Sequence, residues 1–183
     1  MNSLHSLIPA LAPIFGLTEK SLYERQKALV RMGMLPTPQG RGRGSGAPAT
    51  PENVALLVIA VMATDRQADD DRVRKLALAP FIDGKKDRCP WTGATVFKDA
   101  LSLILSPAAP TSKPGRVIHN AVHVSRAEPA ASIFFSWPKR GQGWSEFKRS
   151  SDRGRDDRLL VSAELPDGAI QEIRLLLSDG GSS

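Results

Sequence analysis

A chain of 183 residues, 41% of them hydrophobic, is long enough for one large domain or two small ones and apolar enough to bury a core. Its 25 lysines and arginines against 19 acids give a net charge of +6, and within residues 1–50 Lys20, Arg25, Lys27, Arg31, Arg41 and Arg43 face only Glu19 and Glu24, a balance that favours a phosphate backbone or an anionic membrane surface. Cys89 is the only cysteine, which excludes an intrachain disulfide, and the longest apolar run, Val54 to Ala63, is too short to cross a bilayer.

The N-terminal stretch has no cationic head followed by a long apolar run and a small-residue cleavage site, so a cytoplasmic, soluble protein without a membrane partner is expected. Leu4, Leu7, Ile8, Leu11 and Phe15 recur at helical spacing, with Pro9 and Pro13 expected to kink that helix or shift its start. Gly16 ends it. A second helix follows over roughly Glu19 to Met32, with Thr18 as N-cap. On it Lys20, Glu24, Lys27 and Arg31 share one wet, mostly cationic face, while Leu22, Leu29 and Met32 point towards a core. Gly33 stops this helix, and Pro36 to Ala49 forms a glycine- and proline-rich loop that carries Arg41 and Arg43.

Thr50-Pro51-Glu52 is a helix start, with an N-cap, a proline at the first helical position and an acid in the first turn. The apolar run behind it must be covered on all sides, either by its own domain or by a second copy of the chain. Asp65, Asp69, Asp70 and Asp71 splay too widely around a helix to hold a metal ion, and Asp70 or Asp71 is expected to cap a helix over about Asp71 to Ala79. Phe81 to Thr95 reads as irregular, Cys89 within it as structural, and Thr95 as the cap of a helix with Phe97, Ala100, Leu101 and Ile104 on its buried stripe.

The proline-rich stretch from Ser106 to Gly115 reads as a linker or long loop. Beyond it, Val117 to Val124 and Ala131 to Trp137 read as strands, and Leu159 to Leu165 and Ala169 to Leu177 as a hairpin about Pro166-Asp167-Gly168. Pro138 to Arg158 interleaves Trp144 and Phe147 with seven basic residues, a composition that can stack on bases and hold phosphates, but its acids favour a mobile surface loop. His119 and His123, about 13 Å apart along a strand, do not share a metal ion. The expected fold class is α+β, an N-terminal helical part followed by a helix and a small antiparallel sheet.

Leu17 to Arg25, Leu29 to Pro36, the Arg-Gly loop and Thr50 to Val54 together resemble a winged helix-turn-helix of the MerR-like type. In that family a recognition helix ends in a Gly-Leu-Leu-like element, a basic wing follows, and the next helix opens with a Ser/Thr-Pro-Glu-Asp-Val-like phrase. The resemblance covers about the first 65 residues. It implies a DNA-binding domain that works as a dimer, with Lys20, Ser21, Arg25 and Lys27 on the recognition helix and Arg41 and Arg43 on the wing. Arg31 extends the same cationic face. The chain departs from the family after that point, with no long dimerisation coiled coil or ligand pocket in view, so control by a small effector is not expected.

This divides the chain into a winged helix-turn-helix region over 1–65, a helical connecting region over 66–106 and a small β-rich region over 116–178. The first expectation is a sequence-specific double-stranded DNA-binding protein, a bacterial or prophage transcription regulator. It would act as a homodimer, with the C-terminal sheet dimerising or meeting a protein partner. Lys20, Lys27, Arg41 and Arg43 would set affinity and salt slope, and Ser21 and Arg25 would contact bases. Two alternatives are a phage-type packaging or replication adaptor and a protein-protein adaptor on a helix-turn-helix scaffold. No nucleophile–base pair, metal-ligand spacing or phosphate loop stands out, so neither catalysis nor a cofactor is expected.

Overall fold

The computed structural model describes residues 3–37, 46–64, 70–83, 86–108, 120–137, 141–148 and 161–179. Among them are six α-helices, α1 (Leu4–Ile14), α2 (Glu19–Arg31), α3 (Pro51–Ala63), α4 (Asp70–Ala77), α5 (Phe97–Leu105) and α6 (Asp167–Asp179). Five strands, β1 (Phe81–Ile82), β2 (Asn120–Ser125), β3 (Ala130–Trp137), β4 (Gly141–Phe147) and β5 (Ser162–Leu165), form one sheet in the order β1-β4-β3-β2-β5. Every neighbouring pair is antiparallel. The class is α+β, as composition and patterning predict.

The first three helices are bounded by local chemistry. Ser3, Thr18 and Thr50 are their N-caps, each side-chain oxygen accepting from the backbone N–H three residues on. Gly16 and Gly33 end α1 and α2 with φ of +62° and +68°. In each case the following residue donates back across the turn, Leu17 to the Ala12 carbonyl and Met34 to the Leu29 carbonyl, both at 2.9 Å, which satisfies carbonyls the helix leaves open. Helix α1 runs from Leu4 through both of its prolines. His5, Pro9 and Pro13 lie along one exposed stripe, so the carbonyls that lose a donor to proline face water.

Helix α3 is the middle of the molecule. Its buried residues run from Val54 to Ala60 and again through Met62 and Ala63, and α2, α4, α5, β2 and β5 pack around it. Each fully buried large side chain there contributes about 1.5–3 kcal/mol. The covering comes from the chain itself, so the apolar run is not an argument for a second copy. One cluster of buried residues extends from Leu4 to Ile173 and joins the helices to the inner face of the sheet, where Val122, Val124, Ala131, Ile133, Phe147 and Leu165 point.

Among the described residues, four arginines donate to carbonyls at helix C-termini. Arg25 donates to the Ala60 carbonyl and Arg126 to the Met62 carbonyl in the last turn of α3. Arg174 donates to the Ile104 carbonyl in the last turn of α5, and Arg74 to the Met32 carbonyl just past α2. Each places a fixed positive charge where the helix dipole is negative. Burial pushes the Arg174 guanidinium below its ordinary pKa, and the nearby Asp167 charge opposes this.

Three expectations are corrected. Helix α5 starts at Phe97 with Val96 at its N-cap and no capping side chain, while the Thr95 carbonyl accepts from Phe81 N–H. Residues 169–177 are helix, not the second arm of a hairpin. Ile170 N–H donates to the Pro166 carbonyl, so Pro166-Asp167-Gly168 opens α6, and Ile170 and Ile173 face the core at helical spacing. The stretch read as a surface loop contains β4, whose Gly141 to Phe147 pairs along β3 from Trp137 to Ala131.

Gly143 explains how a glycine-rich segment is held in a sheet. It lies opposite Phe135, and a Cβ there would stand 2.7 Å from Phe135 Cε2, so the ring packs over the bare backbone. Trp91 stacks on the same ring at 5.5 Å, held by the turn that Cys89 closes through its backbone bonds to Gly93 and Ala94. The Cys89 Sγ is buried, 3.1 Å from Ser145 Oγ, consistent with a structural residue. Gly143→Ala is expected to cost about 1–3 kcal/mol through overpacking, seen as a lower urea midpoint with an unchanged m-value.

Candidate nucleic-acid interface

The solvent side of α2 is built by its helical period. Leu22, Arg25, Gln26, Ala28 and Leu29 are buried, which leaves Glu19, Lys20, Tyr23, Lys27 and Arg31 exposed and Glu24 half-buried between them. The four residues from Phe15 to Thr18 return the chain from α1 to α2, and α1 and α3 both pack against α2 from behind. A rigid support of this kind is what a helix inserted into a groove needs.

Within this face Lys27 Nζ lies 2.9 Å from Glu24 Oε1 and 4.5 Å from the centre of the Tyr23 ring. The Tyr23 ring meets the His5 ring of α1 at 5.0 Å, so the two helices share one surface. The hydrogen bond from Lys27 holds the Glu24 carboxyl below its usual range, and the same bond raises the Lys27 pKa. Glu24's contribution to stability is present above the ordinary carboxylate pKa and is lost as pH falls through its lowered value. Lys27's is present below the ordinary lysine pKa and is lost as pH rises through its raised value. Across neutral pH the pair is therefore intact. Lys27 is charged but ion-paired there, and a phosphate must compete with Glu24 for it.

The predicted site residues separate on inspection. Lys20, Lys27 and Arg31 are exposed along one side of α2. Ser21 is partly exposed, and its N–H is taken by the Thr18 Oγ1 cap. Arg25 is corrected as a base reader. It is 5% exposed, and its Nη1 donates to the Ala60 carbonyl at 2.7 Å and to Thr64 Oγ1 at 3.2 Å, so its guanidinium is engaged inside the fold. Its place five residues after Lys20 puts it across the helix from the cationic stripe. Arg41 and Arg43 lie outside the described residues.

Two features were not among the candidates. One is Tyr23, one turn before Lys27, for which the aromatic inside a cationic stripe was the available signal. The other is the outer face of the sheet, where Trp144 is 64% and Phe134 is 42% exposed. The clue there was alternation along residues 141–147, hidden by two glycines. Among the described residues no helix is long and apolar enough to cross a membrane, and no three His, Cys, Asp or Glu side chains gather as a metal site. No family model matches the chain, and no curated protein or solved structure shows significant similarity to it.

Proposed function

We propose that the protein binds double-stranded DNA through α2, as a sequence-specific regulator of the bacterial or prophage type. The observation that carries this reading is the α2 surface, an exposed helix face with Lys20, Lys27 and Arg31 in a line, braced by α1 across a short glycine turn. In this reading α1 and α2 form the helix-turn-helix. The three cations would hold phosphates, and Ser21 and Tyr23 would reach base edges. Arg25 serves by fixing α2 to α3 and does not touch DNA. Arg41 and Arg43 enter as wing residues on the strength of the sequence alone. A homodimer would read a two-fold site, one α2 to each half-site.

The test is binding of the purified chain to random-sequence and genomic duplex fragments over a salt series. The comparison is with the variant Lys20→Ala/Lys27→Ala/Arg31→Ala. All three side chains are exposed, so the fold should survive. The slope of log affinity against log salt is expected to fall by about 0.9 for each phosphate contact removed, with weaker binding to every fragment. Some wild-type complexes should persist at high salt. Uniform, salt-fragile binding would point to a packaging or replication adaptor, and no duplex binding by the wild type would leave the protein-adaptor reading.

A further inference from the structure

We propose that Glu24 and Lys27 together read a C·G base pair in the major groove, Glu24 accepting from the cytosine amino group and Lys27 donating to the guanine edge. This rests on the duplex-binding reading of α2 and adds to it a base pair and the two side chains that select it. Glu24 is the residue that phosphate binding leaves unexplained. It stands one helical turn from both Lys20 and Lys27, on the cationic face of α2, where a carboxylate repels phosphate. Its side chain is 34% exposed, so a partner can reach its oxygens. The hydrogen bond from Lys27, with the Lys27, Arg31 and Lys20 charges behind it, keeps the carboxyl ionised at neutral pH. As an exposed ion pair it adds little to the stability of the fold. A charged acceptor on such a face needs a donor on the partner, and the DNA backbone has none.

Base edges supply that donor. In the major groove cytosine presents only its N4 amino group, whereas adenine sets an N7 acceptor beside its amino group and so repels a carboxylate. Guanine, the partner of cytosine, presents O6 and N7 as acceptors, with O6 next to the cytosine N4. The edge of a C·G pair is thus a donor and acceptors side by side. The α2 face carries the complement, a carboxylate oxygen and an ammonium 2.9 Å apart. The ion pair stays closed on binding, because the ammonium has three donors and gives one to Glu24. The ammonium is also held in place: Lys27 Nζ lies 4.5 Å from the centre of the Tyr23 ring, which meets the His5 ring of α1. The pair therefore reaches the groove already assembled. Lys20 and Arg31, on either side along the same stripe, are left for the phosphates.

The experiment is selection of bound duplexes from a random-sequence library by the full chain, with sequencing of those retained at high salt. Wild type, Glu24→Gln and Lys27→Ala are compared, and each is then titrated against the wild-type site. Wild type is expected to enrich a C·G pair at a fixed position. Glu24→Gln should exchange that preference for adenine in place of the cytosine, because a carboxamide matches adenine N6 and N7, and should bind the wild-type site on the order of tenfold more weakly. Lys27→Ala should relax the same base pair, and both variants should leave the other enriched positions as they are. Unfolding midpoints of both should stay close to wild type, because the pair lies on the surface. The C·G reading is overturned if the enriched site has no fixed C·G pair or if Glu24→Gln retains the cytosine. It is overturned too if Glu24→Gln tightens binding to every sequence alike, which would make Glu24 only a competitor for Lys27. Those results leave duplex binding by α2 standing. A wild type that retains no duplex overturns the α2 reading and the C·G reading with it.

Discussion

Arg25→Ala is expected to destabilise the protein by about 4 kcal/mol, the amount typical of removing one member of a buried, hydrogen-bonded charged group. Ala60 is in the last turn of α3, where carbonyls have no partner within the helix, and the guanidinium supplies one at 2.7 Å. Thr64, the residue that ends α3, is itself buried and accepts from the same nitrogen. Alanine would leave the Ala60 carbonyl short of a donor in a site closed to bulk water, at about 1–3 kcal/mol. It would also remove a positive charge from the negative end of the helix and the apolar stem that fills the gap between α2 and α3. Arg25→Met keeps the stem and is expected to recover part of the loss. Urea unfolding of the three proteins measures both terms. If Arg25→Met matched wild type in stability and lost duplex binding alone, Arg25 would belong to the DNA surface after all.

Phe147→Ala has a comparable expected effect, about 4 kcal/mol, for a different reason. Phe147 is fully buried where β1, β4 and α5 meet, with the Phe81 ring at 5.7 Å and the Phe97 ring at 5.6 Å. Truncation removes the transfer free energy of the ring, leaves a cavity that three elements cannot easily close, and breaks two aromatic pairs. Phe147→Leu should cost less, about 1.5 kcal/mol, because it retains most of the volume. The two alanine variants lie at opposite ends of the chain but in one continuous core. Each is therefore expected to shift a single unfolding transition seen by every probe. Two transitions, with only one moved by each variant, would show that the N-terminal helices and the sheet fold independently.

The parts of this fold that were legible in the sequence are those whose causes are local. The caps at Thr18 and Thr50, the stops at Gly16 and Gly33 and the buried stripe of α5 each depend on side chains within a few residues, and they lie where patterning places them. The strand β4 depends on partners far away. Its glycines and single exposed tryptophan read as a loop until Phe135 covers Gly143 and seven register pairs fix it to β3. In residues 166–179 Pro-Asp-Gly serves equally as a turn and as a helix start, and it is the spacing of Ile170 and Ile173 that decides for the helix. Arg25 carries a charge that suggests exposure, but its position around α2, on the side of Leu22 and Leu29, sets it towards the core.

The arginines at helix ends also bear on how the protein is felt from a distance. A guanidinium against a helix C-terminus is matched by about half a unit of opposite charge fixed in the backbone, so a remote polyanion senses much less than a full cation. Arg25, Arg74, Arg126 and Arg174 are all placed this way, and Arg25 and Arg174 are also shielded inside the fold. The formal charge of +6 therefore overstates the long-range pull on nucleic acid. Encounter rates should depend instead on the cations that face outward, among the described residues Lys20, Arg31, Lys86 and Arg88, and two proteins of equal net charge would differ in capture speed according to how many arginines each has turned inward.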